Sequence, residues 1–420
     1  MRAFRYFAIA AAIALAGVFR ATLAHAGETL TLDEVVGRAL VSAPALSAAA
    51  ANSDLSGARI DEMRAPLYPS IFGAGDYMQA PGYDRTMSNG GQTLAEATLD
   101  YTVFDGGRRL AQVRAARYAA EAATLGASAV RAQIVFDATV AYYDLVRAEA
   151  EQREAGANFD RLGGYVRIVE ALQRSGRAIP NDTLRIRSAR DTAELALAAA
   201  HQATDHASII VGSMIGDYGR TDLVAAPVTE IPPPPTGDLA ESPAYKALAR
   251  QIASADALVA AARAERSPTL KVGLTAGWLG INPPKTFGHH LGASYDTAVV
   301  IPVFQGGLVR SHVDEALAAM HTAQAQRDQL KLDVARDLAD AGDRYASALQ
   351  QIEILARSQT TADDSFALDW TRFLGGGTVT ILEVIDAYQQ AENLRVARFV
   401  QVFAARQASA QSALILGIAR

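Results

Sequence analysis

Val103-Phe104-Asp105-Gly106-Gly107 occurs a second time in this chain, as Val303-Phe304-Gln305-Gly306-Gly307, about 200 residues later. Each copy follows a β-prone stretch and precedes a long run of helix-forming residues without proline. Other short stretches recur at nearly the same offset, such as Tyr68-Pro69-Ser70 and Ser267-Pro268-Thr269. The chain is therefore predicted to be an internal duplication. A repeat of this length is too long for a solenoid module and indicates two pseudo-symmetric halves.

Residues 27–226 make up the first predicted repeat. Apolar and polar residues alternate from Ala95 to Val103, which is the period of a strand with one apolar and one polar face. From Gly106 to Arg174 there is no proline, and the many alanine, arginine and glutamate residues predict one helix of roughly 100 Å. The predicted elements are a helix at 32–65 with a break near Ser42 or Ala43, a β-hairpin at 68–104, the long helix at 106–174 and a return helix at 181–214.

A proline-rich linker, residues 227–240, separates the repeats and contains Pro232-Pro233-Pro234-Pro235, which favours extended backbone and ends a helix. The second repeat, residues 241–420, is predicted to follow the same order. Its elements are a helix at 242–266, a hairpin at 270–304 whose second strand is 291–304, a long helix at 306–373 and a return helix at 379–416. Helices of this length need partners along their length, and alanine-rich seams fit coiled-coil packing. The fold class is therefore predicted as mainly α with a small β part.

The first 26 residues have the pattern of a secretory signal peptide, with Arg2 and Arg5 before an apolar run and Ala24-His25-Ala26 as the cleavage site. A membrane anchor is the alternative, but the run is shorter than the ~20 residues of a bilayer span. No later segment reaches ~18 uninterrupted apolar residues, so after export the chain could enter a membrane only as a closed barrel. There is no cysteine for disulfides. The formal net charge of −6 argues against nucleic acid as a partner.

Patterns typical of catalytic, metal-binding or phosphate-binding sites are missing from the sequence. The glycines after Phe104 and Phe304 are not followed by a phosphate-binding motif. His201 and His206 are five residues apart, which puts them off a common helix face. His289-His290 has no cysteine or acid at a ligand spacing nearby. We therefore expect no enzymatic activity, no metal site and no cofactor.

The two Phe-x-Gly-Gly turns, together with Ile381-Leu382-Glu383-Val384-Ile385-Asp386-Ala387, resemble the TolC family of outer-membrane efflux and type I secretion channels. The resemblance covers nearly the whole mature chain. It implies a homotrimer in which each protomer gives four strands to a shared barrel of twelve, an even number as in bacterial barrels, continued by a periplasmic α-helical tube. It further implies a passive conduit for small molecules or polypeptides, set in outer-membrane lipid and joined to a periplasmic adaptor and an inner-membrane pump.

The same resemblance implies roles for individual residues at the periplasmic tip. Asp182, Glu383 and Asp386 match acidic positions that narrow the pore, where a ring of acids attracts cations. The tip turns are implied to be the adaptor docking site, and they contain Gly176, Arg177, Gly375, Gly376 and Gly377. Leu374 and Val379 replace a tyrosine and an arginine that lock the pore of the best-known members. Possible substitutes for that lock are Arg177, Arg185 and Arg187.

Most of these residues also have a structural interpretation. Glu383 and Asp386 could complement the helix dipole, Asp182 could be a helix N-cap, and Asp105 is expected to cap the long helix. Glycine permits backbone angles that other residues resist, so a structural role is expected for the residues of the strand-to-helix turns: Phe104, Gly106, Gly107, Phe304, Gly306 and Gly307. For the whole chain the alternatives are a periplasmic coiled-coil adaptor, which the two hairpins argue against, and an exported enzyme.

Overall fold

The structure is a computed structural model that describes residues 28–78, 92–281, 291–376 and 379–418. The predicted signal peptide, residues 1–26, and the tip residue Gly377 lie outside the described residues. Helices account for most of the described chain, and the main sheet has four strands. The prediction of a mainly α fold with a small β part is confirmed.

The first repeat begins with two helices that meet at a break. Thr31 caps the first helix, because its hydroxyl accepts from the Glu34 amide while the Glu34 carboxylate accepts from the Thr31 amide. Ala43 is extended and Pro44 opens the next helix, where its missing N–H costs nothing. The elements are α1 (Leu32–Ser42), α2 (Pro44–Arg64), β1 (Ser70–Met78), β2 (Gln92–Phe104), α3 (Arg108–Arg174) and α4 (Pro180–Ile215).

The second repeat has the same order of elements, but its described residues include no counterpart of α1. Ser242 caps its first helix by accepting from the Tyr245 amide at 3.2 Å. The second strand of its hairpin ends at Val300 rather than at the predicted Phe304, because Pro302 has no N–H to donate to a strand ladder. The elements are α5 (Pro243–Ala264), β3 (Thr269–Ile281), β4 (Leu291–Val300), α6 (Leu308–Leu374) and α7 (Ile381–Leu416).

The two hairpins join into one antiparallel sheet in the order β1-β2-β3-β4. Strands β2 and β3 form the joint between the repeats, where Leu99 lies opposite Leu274 and Thr98 lies opposite Thr275. The register shifts between Thr102 and Phe104, close to the point where β2 passes into the long helix. The outer strands of this sheet are β1 and β4.

Two apolar clusters hold the helices together. The first, here called the upper core, lies beside the parallel pairing of the two-residue strands Thr29–Leu30 and Val224–Ala225 and includes Val35, Tyr142, Leu145 and Val211. The second, here called the tip cluster, joins α3, α4, α6 and α7 near their turns and includes Leu172, Ile186 and Ile381. Among the described helices, none combines the length and the hydropathy that a membrane crossing requires.

Candidate functional site

The first strand-to-helix turn is a tightly packed joint between the repeats. Gly106 and Gly107 have φ angles of +68° and +84°, which L-residues with a side chain rarely adopt. A Cβ on Gly106 would overlap the side chain of Ser267 and lie 3.2 Å from the carbonyl oxygen of Ala264. Gly106 is therefore required both by its backbone conformation and by the close approach of the second repeat.

Asp105 organises this turn, although it is not the N-cap of α3; that position belongs to Gly107. Its carboxylate accepts from the amides of Gly107 and Arg109, both at 3.1 Å, and from Arg109 Nε at 2.9 Å. Arg109 also donates to the carbonyl oxygens of Pro66 and Thr102, each at 2.5 Å. Burial opposes the charge, but these donors outweigh it and hold the pKa of Asp105 below its ordinary value. Asp105 and Arg109 thus tie the helix to both ends of the hairpin.

The second strand-to-helix turn repeats the backbone but not the packing. Gly306 and Gly307 have φ angles of +61° and +89°, and a Cβ on either would meet open space. Gln305, at the place of Asp105, is exposed, and so is Phe304. The second turn therefore lies at a surface of the single chain.

The tips of the two helical hairpins are short glycine turns. The Gly176 amide donates to the Gln173 carbonyl at 3.0 Å and the Arg177 amide donates to the Leu172 carbonyl at 2.9 Å, which is the usual C-terminal closure of a helix. Gly176 has a φ of +72°, and Gly376 repeats this at +74° in the other tip. Gly375 and Gly376 are exposed, as are Gly176 and Arg177. Both tips therefore present their backbone to solvent.

The three predicted pore acids lie at the start of the return helices. Glu383 is the third residue of α7, and its carboxylate accepts from the Thr380 amide at 2.7 Å and from the Thr380 hydroxyl at 3.1 Å. Asp182 is the third residue of α4 and accepts from the Ile179 amide at 3.1 Å. The N-cap of α4 is Ile179, so the interpretation of Asp182 as an N-cap was wrong. Asp386 lies one turn beyond Glu383, is exposed, and has no ion pair within the described residues.

The arginines considered as partners of these acids are engaged elsewhere or exposed. Arg187 pairs with Glu170, with Nη2 and Oε1 2.6 Å apart. Arg177 donates to the Ser175 hydroxyl at 3.5 Å, and Arg185 is exposed. Leu374 and Val379 pack against the tip cluster instead of forming a polar contact. Within the described part of one chain, no arginine pairs with Asp182, Glu383 or Asp386.

A group of aromatic rings stiffens the protomer above the tip. The Tyr165 ring of α3 lies 4.6 Å from the Trp370 ring of α6 and 5.7 Å, edge to face, from the Tyr388 ring of α7. Phe366 adds further contacts to this group. Such pairs stabilise by about 0.5–1.5 kcal/mol each beyond the area they bury. The rings therefore fasten both long helices to α7.

A buried charged network that the sequence analysis did not predict lies beside these rings. Glu392 of α7 accepts from Arg161 of α3 at 2.9 Å and forms an ion pair with Arg395. Arg161 also contacts Glu154, and Arg395 contacts Asp363 of α6. Burial raises the pKa of Glu392, and the two guanidinium groups oppose that shift. The network links α3, α6 and α7 across 231 residues of sequence.

Tyr388 completes this network from the aromatic side. Its hydroxyl donates to Asn158 Oδ1 at 2.7 Å and accepts from Arg161 Nε at 3.1 Å. Burial raises the pKa of Tyr388 to about 12. The signal that could have revealed the network is Glu392 itself, because it continues the apolar stripe of Ile381, Ile385 and Tyr388 at helical spacing. An acid at that spacing predicts a buried cationic partner.

This architecture is shared with a known protein family. The model of the outer membrane efflux protein family matches residues 35–217 and 238–415, which is most of each repeat. The chain belongs to the outer membrane efflux protein family. The predicted relation to the TolC family is thereby confirmed, and the protein is a channel component of a tripartite efflux or secretion system. It resides in the outer membrane with a large helical part in the periplasm, and members of the family work with an adaptor and an inner-membrane pump.

Individual relatives agree with this assignment. Protein CyaE of Bordetella pertussis is 28% identical over 320 residues, which cover 73% of this chain and 67% of the relative. The pyoverdine export outer membrane protein OpmQ of Pseudomonas aeruginosa is 25% identical over 396 residues, covering 87% of this chain and 82% of OpmQ. The crystal structure of CusC superposes with a TM-score of 0.86 at 17% identity and covers 93% of both chains, which establishes the common fold.

Proposed function

We propose that three copies of this chain form a passive channel, closed into one barrel at the membrane and one helical tube in the periplasm. The observation that carries the proposal is the exposure of the outer strands. All described residues of β1 and β4 are exposed, among them Ile71, Phe72 and Tyr295. Long apolar edge strands are an aggregation hazard in a single chain, and closure of the sheet removes the edges. Four strands from each copy would make a barrel of twelve, consistent with even strand numbers in bacterial barrels.

The pairing of the strands supports a lipid-facing and a water-facing side. Residues directly opposite each other in a sheet share a face. One face carries Leu99, Leu274 and Tyr295 in register, and the other carries Thr98, Thr275 and Ser294, with Phe72 of β1 opposite Thr98. The hydroxyls of Thr98 and Thr275 lie 3.3 Å apart on that polar face. An apolar outside and a polar inside are what an aqueous pore in a membrane requires.

The helices support the same assembly through an asymmetry between the repeats. Inside the chain α3 packs against α5, and α5 buries Ala247, Ala257 and Val259 among other residues. The corresponding pair is α6 with α2, but α2 buries no residue and exposes Leu55. The surfaces left open on α2 and α6 are therefore the counterparts of a joint that is closed within the chain. We propose that α6 of one copy packs against α2 of the next.

Cross-linking in this cysteine-free chain tests the assembly. The Ser254 hydroxyl donates to the Ala115 carbonyl at 2.9 Å across the internal joint, so an A115C and S254C pair is the matched control and should cross-link within one chain. The positions matching these in the repeat are Leu55 and Glu315, both exposed. An L55C and E315C pair should give covalent dimers and trimers in outer-membrane fractions. Cross-links confined to single chains, or a protein that is monomeric in mild detergent, would contradict the trimer.

The acids at the tip are proposed to form the pore constriction. Glu383 and Asp386 are exposed and lie one helical turn apart on α7, opposite the face that carries Ile381 and Ile385 into the tip cluster. Asp182 begins α4 in the same position of its helix as Glu383 does in α7. Three copies would bring these carboxylates around one axis, where they attract cations and repel anions. The exposed glycine turns beside them are the proposed docking site of the periplasmic adaptor.

Conductance in planar bilayers tests the constriction. Replacing Glu383 by Gln and Asp386 by Asn preserves shape and removes charge, so cation selectivity and block by multivalent cations should fall. Asp54→Asn with Glu62→Gln is the matched control, because it removes two exposed charges from α2, far along the chain from the tip. Unchanged selectivity in the tip variant, or an equal loss in the control, would mean that these acids do not line the pore.

The channel is proposed to be passive, with chemical energy and most substrate choice supplied by the inner-membrane pump. Within the described residues, no group of histidine, aspartate and glutamate side chains has the geometry of a metal site. The export of small molecules or of polypeptides follows from the family, and pyoverdine export is the function named for the relative OpmQ. Purification of the trimer with its adaptor and pump, followed by transport assays in cells, distinguishes the two classes of cargo.

A further inference from the structure

Arg406 of α7 is a buried cation for which the described residues provide no anionic partner. Only 5% of its surface is exposed. Its Nε donates to the Glu230 carbonyl at 3.1 Å and its Nη2 donates to the Val228 carbonyl at 2.7 Å, while the guanidinium lies 5.5 Å from the centre of the Tyr143 ring. Within the described residues it forms no ion pair, and Nη1 donates to no protein acceptor. Burying a charge without a counter-charge lowers the stability of the folded protein.

Three partly buried arginines among the described residues are neutralised by acids. Arg161 and Arg395 contact Glu392, and Arg109 contacts Asp105. Arg406 differs from them because neutral carbonyl oxygens accept its bonds. These carbonyls belong to the linker between the repeats, to which Ser409 also donates, at the Pro233 carbonyl at 3.1 Å. The linker therefore fixes the guanidinium in place without cancelling its charge.

A cavity of about 600 Å³ lies directly beside this guanidinium. Its walls are the apolar sides of α1, α3 and α7 and the rigid proline run of the linker. Small-molecule sites in proteins have volumes of ~300–1,000 Å³, mostly apolar walls and a few fixed polar groups. The lining of the cavity includes Val36, Phe136, Tyr143, Pro234, Arg406 and Ala410. The cavity therefore has the size and the mostly apolar walls of a ligand site, with a fixed cation, Arg406, and one acid, Asp33, in its lining.

We propose that this cavity binds a small organic anion whose carboxylate pairs with Arg406 and whose apolar body fills the space between α1, α3 and the proline run. Arginine recognises a carboxylate through paired N–H donors. The linker carbonyls use the Nε N–H and one Nη2 N–H, which leaves the Nη1 N–H groups and the second Nη2 N–H as such a pair. One guanidinium with Asp33 at the rim favours a singly charged head over a phosphate. The ligand would bridge α1 of the first repeat, α7 of the second repeat and the linker that joins them.

Calorimetric titration of the full chain in lipid nanodiscs with 3-phenylpropionate tests the proposal. The neutral 3-phenylpropanamide is the control probe, because it has the same body without the charge. We expect one ligand per chain and at least about tenfold weaker binding of the amide, since a charge-assisted hydrogen bond is lost. Bound propionate should also raise the melting temperature of the protein. Equal affinity for the two probes, or no saturable binding, would overturn the proposal.

Three variants assign the binding to this cavity. Arg406→Gln should weaken propionate binding by about tenfold or more, whereas Arg398→Gln, which removes an exposed charge from the same helix, should leave it unchanged. Ala410→Phe fills the cavity without altering the groups that hold Arg406, so it should abolish binding even if Arg406→Gln fails to fold. Retained binding in Ala410→Phe would overturn the proposal. Loss of the trimer in Ala410→Phe without ligand would do so as well, because a neighbouring copy would then occupy the cavity.

Discussion

The two long helices, α3 and α6, have the same length and the same starting turn, but their surroundings differ. Each contains 67 residues and follows a glycine in the left-handed conformation. Helix α3 packs against α1, α2, α4, α5 and α7, whereas α6 packs mainly against α5 and α7. Fourteen side chains of α3 are buried but only six of α6. Equal sequence patterns have therefore produced one helix inside the protomer and one at its surface.

This difference shows which contacts a duplicated chain does not make within itself. A ring built from alternating repeats needs the same joint after every repeat. The chain supplies one joint internally, between β2 and β3 and between α3 and α5. The proposed trimer supplies the other between copies. Substitutions at matching positions of the two repeats therefore measure how far the two joints are equivalent.

The largest difference in the free energy of unfolding is expected between matching substitutions in the two return helices, α4 and α7. Glu392 is buried between Arg161 and Arg395, while Asp191, at the matching position of α4, is exposed and lies 3.9 Å from Arg190. Glu392→Ala leaves both guanidinium groups of the buried network short of a carboxylate and should lower the free energy of unfolding by at least about 3 kcal/mol. Asp191→Ala should lower it by about 0–1 kcal/mol. Urea unfolding followed by circular dichroism measures both, and equal losses would refute a buried role for Glu392.

The paired glycine turns are expected to show the next largest effect. Gly106→Ala combines an unfavourable left-handed backbone with a clash at Ser267, and should lower the free energy of unfolding by about 2–3 kcal/mol. Gly306→Ala meets open space within the chain, so the backbone alone should contribute about 1–2 kcal/mol.

The proposed trimer predicts a second difference between Gly106→Ala and Gly306→Ala. If α6 and β4 meet the next copy as α3 and β2 meet the second repeat, Gly306→Ala should also lower the temperature at which the trimer dissociates on semi-native gels. The decrease in the free energy of unfolding caused by Gly106→Ala should be measurable when the separated protomer unfolds. Dissociation unaffected by Gly306→Ala would mean that the joint between copies is looser than the joint within the chain.

Substitutions of Asp105 and Gln305 are expected to lower the free energy of unfolding by different amounts. This difference is smaller than the preceding ones and depends on pH. Asp105→Ala removes the acceptor of two amides and a guanidinium and should lower the free energy of unfolding by about 1–3 kcal/mol, whereas Gln305→Ala should change it by less than about 0.5 kcal/mol. The pKa of Asp105 is lowered in the folded chain. Its contribution is therefore complete above the ordinary aspartate pKa of about 3.9 and is lost as the pH falls through the lower folded value.

Melting temperatures of the wild type and of Asp105→Ala between pH 7 and pH 3 test that sign. The advantage of the wild type should stay constant down to about pH 4 and shrink below it. Gln305→Ala is the control, because its difference from the wild type should not change with pH. An Asp105 advantage that grows as the solution becomes more acidic would contradict the lowered pKa.

Local signals allowed much of the fold to be predicted from the sequence. Glycine at 106, 176 and 306 and proline at 44 and 180 mark element boundaries through their own backbone chemistry, so each helix end could be placed within a few residues. Proline at 302 was present too, and it should have ended the predicted strand before Phe304. The TolC-family assignment followed from the repeated turns together with the α7 stretch around Glu383.

The contacts that could not be predicted join residues far apart in the chain. Arg161 and Glu392 are 231 positions apart, and nothing near either residue in sequence identifies the other. The lone charge of Arg406 is likewise visible only when the linker carbonyls and the cavity are placed around it. The unequal burial of α3 and α6 has the same origin, because it depends on which neighbours the chain itself supplies. The pore geometry stays a prediction from the family, and the absence of a cofactor stays a prediction from the missing sequence motifs.

The smallest difference is expected at the N-caps of the return helices. Thr380 accepts from the Glu383 amide through its hydroxyl, whereas Ile179, at the matching place before α4, has no side-chain oxygen to offer. Thr380→Ala should therefore lower the free energy of unfolding by about 1 kcal/mol, and Ile179→Thr should raise it by a similar or smaller amount by completing a capping box with Asp182. Hydrogen exchange of the tip amides, read by mass spectrometry, localises both effects to the first turns. If Ile179→Thr instead loosens α4, the exposed isoleucine contributes a contact outside its own chain, and the natural place for that contact is the tip of a neighbouring copy.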